Sequence, residues 1–481
     1  MSIVFTVILL ALLFYQSACS QPGLDTLWTF SYPLSGSQSG ISVDQLSDGG
    51  YLVSSTSFHD SVGHRVPALL RIDTDRTAVF YREYDTGLES NCVNAVTTTF
   101  GHALLLANEE RGPRQIRATM VEENGNIVWS TLLGISEEVM HNARSSCLIP
   151  SGFVIVGDRN FERGIGAFIV AIDLFGDTLW TRTMGPDGFG ISELHDVAYF
   201  ANGNIVAAGR TREITAPINW DIYLVCLSES GEILWTNVIG GDWDESAFSV
   251  DIASDSNIVV AGIEQQNIWE EFVFWGNYDF NGNEQSRRLV EDYTITSVAG
   301  VIALSSTQFT LACQQSIILE SNAALLEVGI DGSESLVHRL EIDNGFIVES
   351  ITKCRTGEYL LSGSNADVPS EDRNIVLLRT TVDSRLLAEP VVCIPTNLSL
   401  GQNYPNPFNS YTNIPIQGNI PLNTELKIYD VLGREVRSLP LFQSKGGHST
   451  IQFFSRDLPT GIYYYRLTVN WNDVKHMTHV K

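Results

Sequence analysis

The chain has 481 residues, 44% of them hydrophobic and 18% charged, so it is long enough for two or more domains and rich enough to bury a core, which excludes a disordered polypeptide. Its formal net charge of -27 argues against nucleic acid and anionic membrane faces as partners. The charge is unevenly placed: residues 398–481 carry eight Lys/Arg and five Asp/Glu, a balance of +3, which leaves -30 on the rest.

Residues 4–15, "VFTVILLALLFY", form an apolar run of 12, too short to span a bilayer. With Ala18 and Ser20 at the -3 and -1 positions of a cut before Gln21, residues 1–20 read as a secretory signal peptide that lacks the usual early basic residue. A cut before Cys19, giving a lipoprotein, ranks second, because Gln16 stands where that motif prefers an apolar residue. No other stretch is predicted to cross a membrane as a helix. Six cysteines follow: Cys92, Cys147, Cys226, Cys313, Cys354 and Cys393. Their wide spacing, with no CxxC, argues against zinc. Disulfides are permitted in an exported chain, but the spacing does not give the pairing. Several sit in apolar strand-like runs, where a small buried hydrophobe is expected.

From residue 50 onward a hexamer recurs. It reads "GYLVSS" (50–55), "HALLLA" (102–107), "GFVIVG" (152–157), "NIVAAG" (204–209), "NIVVAG" (257–262), "QFTLAC" (308–313) and "EYLLSG" (358–363). The ends step by 52, 50, 52, 53, 51 and 50 residues. Each is a short apolar run, mostly with a turn residue before it, the pattern of a buried strand. The last position is always small (Ser55, Ala107, Gly157, Gly209, Gly262, Cys313, Gly363), which predicts close approach of backbones there. A strand candidate precedes each hexamer, as in "ISVDQL" (41–46), "HDVAYF" (195–200) and "FSVDIA" (248–253). Another follows, as in "FIVAID" (168–173) and "YLVCLS" (223–228). A fourth carries Trp129, Trp180 or Trp235, in "GNIVWS", "GDTLWT" and "GEILWT". Four strands in about 50 residues, with no amphipathic helix between them, make one blade of a β-propeller.

The first three strands occur seven times, and an extra fourth strand, "TLWTF" (26–30), precedes them all. The economical arrangement pairs it with the last set and closes a seven-bladed ring, removing the edges of an open array. "LLAEPVV" (386–392) competes for that place, weakened by Pro390. The Trp residues recur in register with the fold, so they are expected to pack between blades rather than to serve as stacking platforms for sugars.

The run "AIDLFGDTLWTRTMG" (171–185) resembles the repeat of the quinoprotein-like propellers. The resemblance covers three units well and implies the fold alone. Enzymes of that family hold a quinone between a Trp and a disulfide of adjacent cysteines, and no adjacent cysteines occur here.

Catalytic motifs are absent: there is no HExxH, GxSxG or GxxxxGK[ST]. His195 precedes Asp196 on an inner-strand candidate and could face the central channel, although a lone His in such a strand is more often structural. "GGDWDES" (240–246) gathers Asp242, Asp244 and Glu245 in a loop, where a solvated acidic turn is preferred to a calcium site with incomplete spacing. No residue is assigned as catalytic, cofactor-binding or metal-binding, and no cofactor is expected.

Near residue 394 the texture turns to Asn and Pro, in "IPTNLSLGQNYPNPFNSYTNIPI". "TELKIYD" (424–430), the turn "VLG" and "REVRSL" predict a hairpin. "GIYYYRLTVN" (461–470) alternates, with Tyr463, Tyr465, Leu467 and Val469 on one face and Ile462, Tyr464, Arg466 and Thr468 on the other. Several short strands in about 80 residues predict a small Ig-like β-sandwich. "LGQNYPNPFNSYTNI", "LKIYDVLGREV", "LPTGIYYYRL" and the ending "KHMTHVK" together resemble the C-terminal sorting domain of type IX secretion substrates. Ser410 stands where the family usually has Pro, and "MTHV" where it favours an apolar run. The resemblance implies a Gram-negative host, passage through the periplasm, export across the outer membrane and contact with the secretion machinery.

The sequence thus predicts an all-β chain: signal peptide 1–20, propeller 21–393, linker 394–400 and sorting domain 401–481. The ring is expected to be a binding or scaffold module for an unknown extracellular ligand. The alternative is an extracellular hydrolase or lyase with a carboxylate site at the channel mouth. A cluster of polar side chains in perturbed environments at one end of the channel would favour the enzyme. A lining of small and apolar residues alone would favour binding or scaffolding.

Overall fold

The computed structural model describes residues 26–480 except 33–36, 59–62, 99–100, 134–139, 162–163, 185–189, 201, 214–218, 254–256, 268–269, 291, 293, 304–307, 318–319, 330–334, 341–344, 356, 367–372, 381–398, 418–424, 431–433, 441–447, 456–457 and 468–469. The expected signal peptide, the linker up to residue 398, Cys19, Cys393 and the competing strand 386–392 lie outside the described residues. Two compact units divide the chain, Met1–Leu387 and Ala388–Lys481.

In the first unit every described element is a strand. The first sheet is β2 (Ser37–Gln45), β3 (Tyr51–Phe58), β4 (Arg65–Ile72) and β5 (Ala78–Glu83). The second is β6 (Ser90–Thr97), β7 (Ala103–Glu110), β8 (Arg114–Val121) and β9 (Ile127–Leu133). The third is β10 (His141–Ile149), β11 (Gly152–Phe161), β12 (Gly164–Ile172) and β13 (Thr178–Met184). The fourth is β14 (Ile191–Tyr199), β15 (Asn204–Arg212), β16 (Asp221–Ser228) and β17 (Ile233–Ile239). The fifth is β18 (Asp244–Ile252), β19 (Ile258–Asn267), β20 (Glu270–Tyr278) and β21 (Glu284–Leu289). The sixth is β22 (Ile295–Ala303), β23 (Gln308–Ile317), β24 (Glu320–Gly329) and β25 (Ser335–Leu340). The seventh is β26 (Ile347–Lys353), β27 (Tyr359–Ser364) and β28 (Ile375–Thr380), completed by β1 (Thr26–Tyr32). Strands pair antiparallel within each sheet, and one parallel bridge, Ile165 to Ile191, links the third sheet to the fourth. The first strand of each sheet packs on the first strand of the next, and β26 packs on β2. This is a closed β-propeller with the first strands around its axis.

The hexamers are the second strands, and sheet stacking explains their texture. Each lies between two neighbouring sheets, so both faces are buried: Val154, Ile155 and Val156 in β11, and Val206, Ala207 and Ala208 in β15, have no exposed surface. A strand buried on both sides reads as a continuous apolar run. The outer strands alternate between exposed and half-buried residues, as in β1 and β17.

All seven first strands carry a one-residue bulge opposite the small residue that ends the hexamer. In β14, Leu194 pairs with Gly209 and Asp196 with Ala208, leaving His195 extra; in β18, Ala247 pairs with Gly262 and Ser249 with Ala261, leaving Phe248 extra. The bulge pushes the inner backbone onto the hexamer. A Cβ on Gly209 would lie 2.0 Å from the Glu193 carbonyl oxygen, and one on Gly262 would lie 2.0 Å from that of Ser246. Gly209→Leu and Gly262→Leu are therefore expected to cost about 3 kcal/mol or more each, beyond ordinary overpacking. Gly241→Leu, whose Cβ would meet only a Glu245 carboxylate oxygen at 3.4 Å, should cost less than about 1 kcal/mol. Thermal melts of the three variants check this ranking.

The repeated tryptophans clasp neighbouring blades, as the sequence predicts. Nε1–H of Trp129, Trp180 and Trp235 donates to the carbonyls of Leu174, Glu229 and Phe280, at 2.9, 2.9 and 3.0 Å, in the turn that precedes the next outer strand. Each indole lies against the glycine of that turn. Gly231 lies in a turn where a larger side chain is expected to cost less than at Gly209 unless the turn needs φ > 0; it has φ 79°, and a Cβ there would meet the Trp180 ring at 2.5 Å. It is as constrained as Gly209, for a different reason.

The second unit has two sheets, β29 (Ser399–Leu400), β30 (Tyr411–Gln417) and β33 (His448–Phe454) against β32 (Glu435–Pro440), β31 (Glu425–Tyr429), β34 (Gly461–Leu467) and β35 (Asn470–His479). They enclose a core of their own that includes Phe408, Ile414, Leu426, Ile428, Phe453, Tyr465 and Met477. Tyr463, Tyr465 and Leu467 point inward while Ile462 and Tyr464 are exposed, as the alternation predicts. Val469 and Thr468 lie outside the described residues.

Candidate ligand-binding channel

The bulges decide what lines the axis. The extra residues are Ile41, Val93, Arg144, His195, Phe248, Ala299 and Glu349, one from each sheet. All seven line one cavity of about 650 Å³. An ordinary strand would alternate its side chains between the axis and the sheet interface, whereas the bulge re-aims one residue per blade at the axis.

The residue after five of the seven bulges, Ser42, Asn94, Ser145, Asp196 and Ser249, stitches one blade to the next. Ala95 N–H donates to Ser42 Oγ at 3.0 Å, Ser146 Oγ–H to Asn94 Oδ1 at 2.9 Å, and Val301 N–H to Ser249 Oγ at 3.2 Å. Asp196 is the hub. Its Oδ1 accepts from Ser145 Oγ–H and Val197 N–H, and its Oδ2 from Ser249 Oγ–H and Val250 N–H, at 2.8–3.0 Å. Burial raises its carboxyl despite these donors. Four donors on two oxygens leave Asp196 committed to holding three blades together.

At the end of the channel where the first strands begin, a charged cluster forms. Glu193 is bound by Arg210 at 2.9 Å and by His195 Nε2 at 3.2 Å, with Arg144 at 3.9 Å. Arg144 Nε also donates to Asp158 at 2.9 Å. Burial alone would push the Glu193 carboxyl up, but the His195 hydrogen bond and the Arg210 and Arg144 charges outweigh it and hold it down, at about 2. His195 Nδ1 faces the Ala247 carbonyl at 2.7 Å, and its ring stacks on Phe248 with centroids 5.0 Å apart and planes 6° apart. His195 thus reaches the channel wall but has both nitrogens engaged.

The other channel carboxylates are less well compensated. Burial raises Asp251 to about 6, against the Ala303 N–H donor at 2.8 Å, with Asp196 adding repulsion and Lys353 attraction. Burial also raises Glu349, whose hydrogen bond from Ser39 Oγ–H is long at 3.4 Å. The folded value of Asp251 lies above the ordinary carboxylate value. Above pH 6 both folded and unfolded states are ionised, and the folded state bears the whole penalty; below about pH 4 both are protonated and none remains. Asp251→Asn, which can still accept the Ala303 bond, is expected to stabilise the protein by about 1–2 kcal/mol at pH 8. The gain should fade as pH falls from 6 to 4. Paired melts of the two proteins across that range test the sign.

The acidic loop does not converge on a point. Asp242 is exposed, Asp244 accepts the Trp220 N–H at 2.8 Å, and Glu245 is buried beside Arg287 at 3.2 Å. No group of three metal-capable side chains occurs among the described residues. The five described cysteines are free, four buried and Cys147 half-buried against the channel. Burial pushes the thiols of Cys92, Cys147, Cys226 and Cys313 up to about 12, so they are poor nucleophiles. Sequence reasoning found His195 but missed Arg144, Phe248 and Glu349. The one available signal was position: each stands thirteen or fourteen residues before its hexamer's small terminal residue.

In the second unit the Asn-Pro motif and the chain's end form one knot. Phe408 N–H donates to the Thr478 carbonyl at 2.9 Å, Val480 N–H to the Phe408 carbonyl at 2.8 Å, and Thr478 N–H to Asn406 Oδ1 at 2.8 Å. Asn403 is buried, its N–H donating to the Tyr465 hydroxyl at 2.8 Å and its Nδ2 to Thr412 Oγ1 at 2.9 Å. The peptide bonds Tyr404–Pro405 and Asn406–Pro407 are cis. "NYPNPFN" and "THV" (478–480), apart in sequence, thus hold each other.

Residues 402–480 match the family model of the secretion system C-terminal sorting domain. No curated protein matches the chain in sequence. Among solved structures, it is similar to Sqt1 from Chaetomium thermophilum bound to the N-terminus of ribosomal protein L10, at 10% identity and TM-score 0.46, covering 75% of this chain and 100% of that one. It is similar to the β-propeller domain of the Trilobed protease from Pyrococcus furiosus, at 12% identity and TM-score 0.44, covering 74% and 99%. It is also similar to the polysaccharide lyase Uly1, at 7% identity and TM-score 0.47, covering 72% and 90%. Likeness at this level says nothing of ligand or activity. Among the described residues no helix is long and apolar enough to cross a membrane. A chain with such a tail is exported to the cell surface or secreted, and contacts the secretion machinery. The chain is a β-propeller protein that carries, at residues 402–480, a type IX secretion system C-terminal sorting domain.

Proposed function

We propose that this is an exported binding protein of a Gram-negative cell. Residues 1–20 take it to the periplasm and residues 401–481 take it across the outer membrane. The seven-bladed ring, residues 21–393, remains at the surface or in the medium, where its central channel binds a small solute. The observation that carries this reading is the set of seven bulges, which aim side chains of unlike chemistry into one cavity. Its size falls within the range usual for small-molecule sites, about 300–1,000 Å³. The polar cluster at the channel end rules out a purely apolar lining, but it does not make a catalytic pair. Glu193 is ionised and surrounded by cations, too weak a base for proton transfer near neutral pH. Asp196 is saturated by donors.

A hydrolase or lyase is the second reading, favoured by one observation. Asp251, raised to about 6, has the character of a general acid poised near neutral pH.

One experiment addresses both. The full chain and an Ala299→Trp variant, which plugs the channel, are purified from culture supernatant. They are then denatured, and the released solutes are identified by mass spectrometry. A solute retained by the parent and lost from the variant supports channel binding, and identical release from both sinks it. If the parent converts that solute and Asp251→Asn does not, the enzyme reading replaces the binding one.

A further inference from the structure

We propose that the ring of bulged side chains binds a small zwitterion with an apolar body, a free amino acid or a short peptide, its ammonium at Glu349 and its carboxylate at Arg144. The inference rests on reading the channel as a binding site and names the ligand class.

In ring order the bulged residues are Ile41, Val93, Arg144, His195, Phe248, Ala299 and Glu349. Arg144 comes from the third sheet and Glu349 from the seventh. In a ring of seven, no two sheets stand farther apart. Unlike charges therefore face each other across the cavity. One arc between them offers Ile41 and Val93, the other His195, Phe248 and Ala299. Phe248 is exposed to the channel and stacks on His195. Within the ring of bulged residues the two charges are at opposite poles with apolar or aromatic side chains between them, while Asp251 and Lys353 line the same cavity three or four residues farther along their strands.

Both poles have capacity to spare. Arg144 uses Nε on Asp158 and brings Nη2 to 3.9 Å from Glu193, and its side chain is 40% exposed. A guanidinium has five N–H donors, so several remain for a carboxylate. Glu349 makes no salt bridge among the described residues, and Arg373 acts on it only at longer range. An ammonium group would supply the partner that this desolvated carboxylate lacks. A simple anion would meet Glu349 and a simple cation would meet Arg144, so each is opposed by one pole. A neutral sugar would leave both poles unused. Only a ligand with both charges satisfies both poles.

The test is titration calorimetry on the purified full chain at neutral pH. The probes are L-phenylalanine, the dipeptide L-phenylalanylglycine, N-acetyl-L-phenylalanine without the ammonium, and L-phenylalaninamide without the carboxylate. One of the first two is expected to bind, and the blocked forms should bind roughly tenfold or more weakly, the loss of one charge-assisted contact. Glu349→Gln should abolish the discrimination against the acetylated probe, and Arg144→Gln that against the amide. If Arg144→Gln does not fold, the amide on the parent protein still answers for the carboxylate pole. Tighter binding of L-phenylalanine points to free amino acids, and tighter binding of the dipeptide to peptides. If neither unblocked probe binds, or the blocked forms bind as well, the proposal is wrong. If Ala299→Trp loses a retained solute while no zwitterion binds, this inference fails and the channel reading stands.

Discussion

A chain that starts at residue 34 is expected to melt about 10 °C or more below the full one. β1 is the outer strand of the seventh sheet, with Phe30 opposite Leu377 and Tyr32 opposite Ile375. It hydrogen-bonds the N-terminal end of the chain to that sheet, on which β2 also packs. Trp28, Phe30 and Tyr32 pack on a core shared by the first and seventh sheets, with Tyr51, Val53, Leu70, Ile375 and Leu377. The Trp28 and Tyr51 rings are 5.5 Å apart. The three aromatics are half-buried rather than buried, because the outer strand has a neighbour on one side only. Each hides on the order of 100 Å², or roughly 2 kcal/mol at about 25 cal/mol per Å². The sum is on the order of 6 kcal/mol, a large share of a typical stability of about 5–15 kcal/mol. At about 2 °C or more per kcal/mol, it gives the stated shift. Removal also leaves β28 as a bare edge, so aggregation should accompany the lower melting temperature. Unchanged melting of the truncated chain would falsify closure by β1.

What the sequence made legible was what packing constrains. The hexamers stood out because β11 and β15 are buried on both faces, and the tryptophans because each must reach a turn in the next blade. The channel was illegible for the opposite reason. Ile41, Val93, Arg144, His195, Phe248, Ala299 and Glu349 share a position and no chemistry, since a side chain aimed at solvent along the axis is not selected by its neighbours' shape. Bulges also broke the simple reading of the outer strands. Thr178 pairs with Ile172 and Trp180 with Ala171, which leaves Leu179 outside the ladder and 46% exposed. Leu234 repeats this before Trp235. The apolar residue before each Trp reads as core in sequence but lies on the rim, where a bulge disrupts the pairing pattern of an edge strand. The packing constraint on Gly231 was hidden for a similar reason, because the residue that crowds it, Trp180, is 51 positions away.

The sorting domain was the most legible part, because its motifs are held by specific hydrogen bonds rather than by generic packing. Asn403 and Asn406 cannot be exchanged for other residues of similar polarity without leaving a partner unpaired, because Asn403 Nδ2 donates to Thr412 Oγ1 and Asn406 Oδ1 accepts from Thr478 N–H. That specificity gives the largest functional prediction. The unit has its own core, its own two sheets and a charge balance of +3 against -30 for the rest of the chain, so it is expected to fold apart from the ring. Deleting residues 401–481 should leave the propeller folded and trapped in the periplasm. Fusing them behind a foreign domain with its own signal peptide, in a host with type IX secretion, should carry that domain to the surface or the medium. A finer variant separates address from bulk. Phe408→Ala removes a buried ring that packs on Phe453 and His479, at a cost of about 3–5 kcal/mol. It should loosen the knot between the Asn-Pro motif and the chain's end, and lower export of the fusion while the ring of the full chain melts unchanged. Cell fractionation with antibody against the ring or the fused domain reads all three. Surface delivery of the deleted chain, or retention of the intact fusion inside the cell, would show that this domain is a structural appendage and not the address.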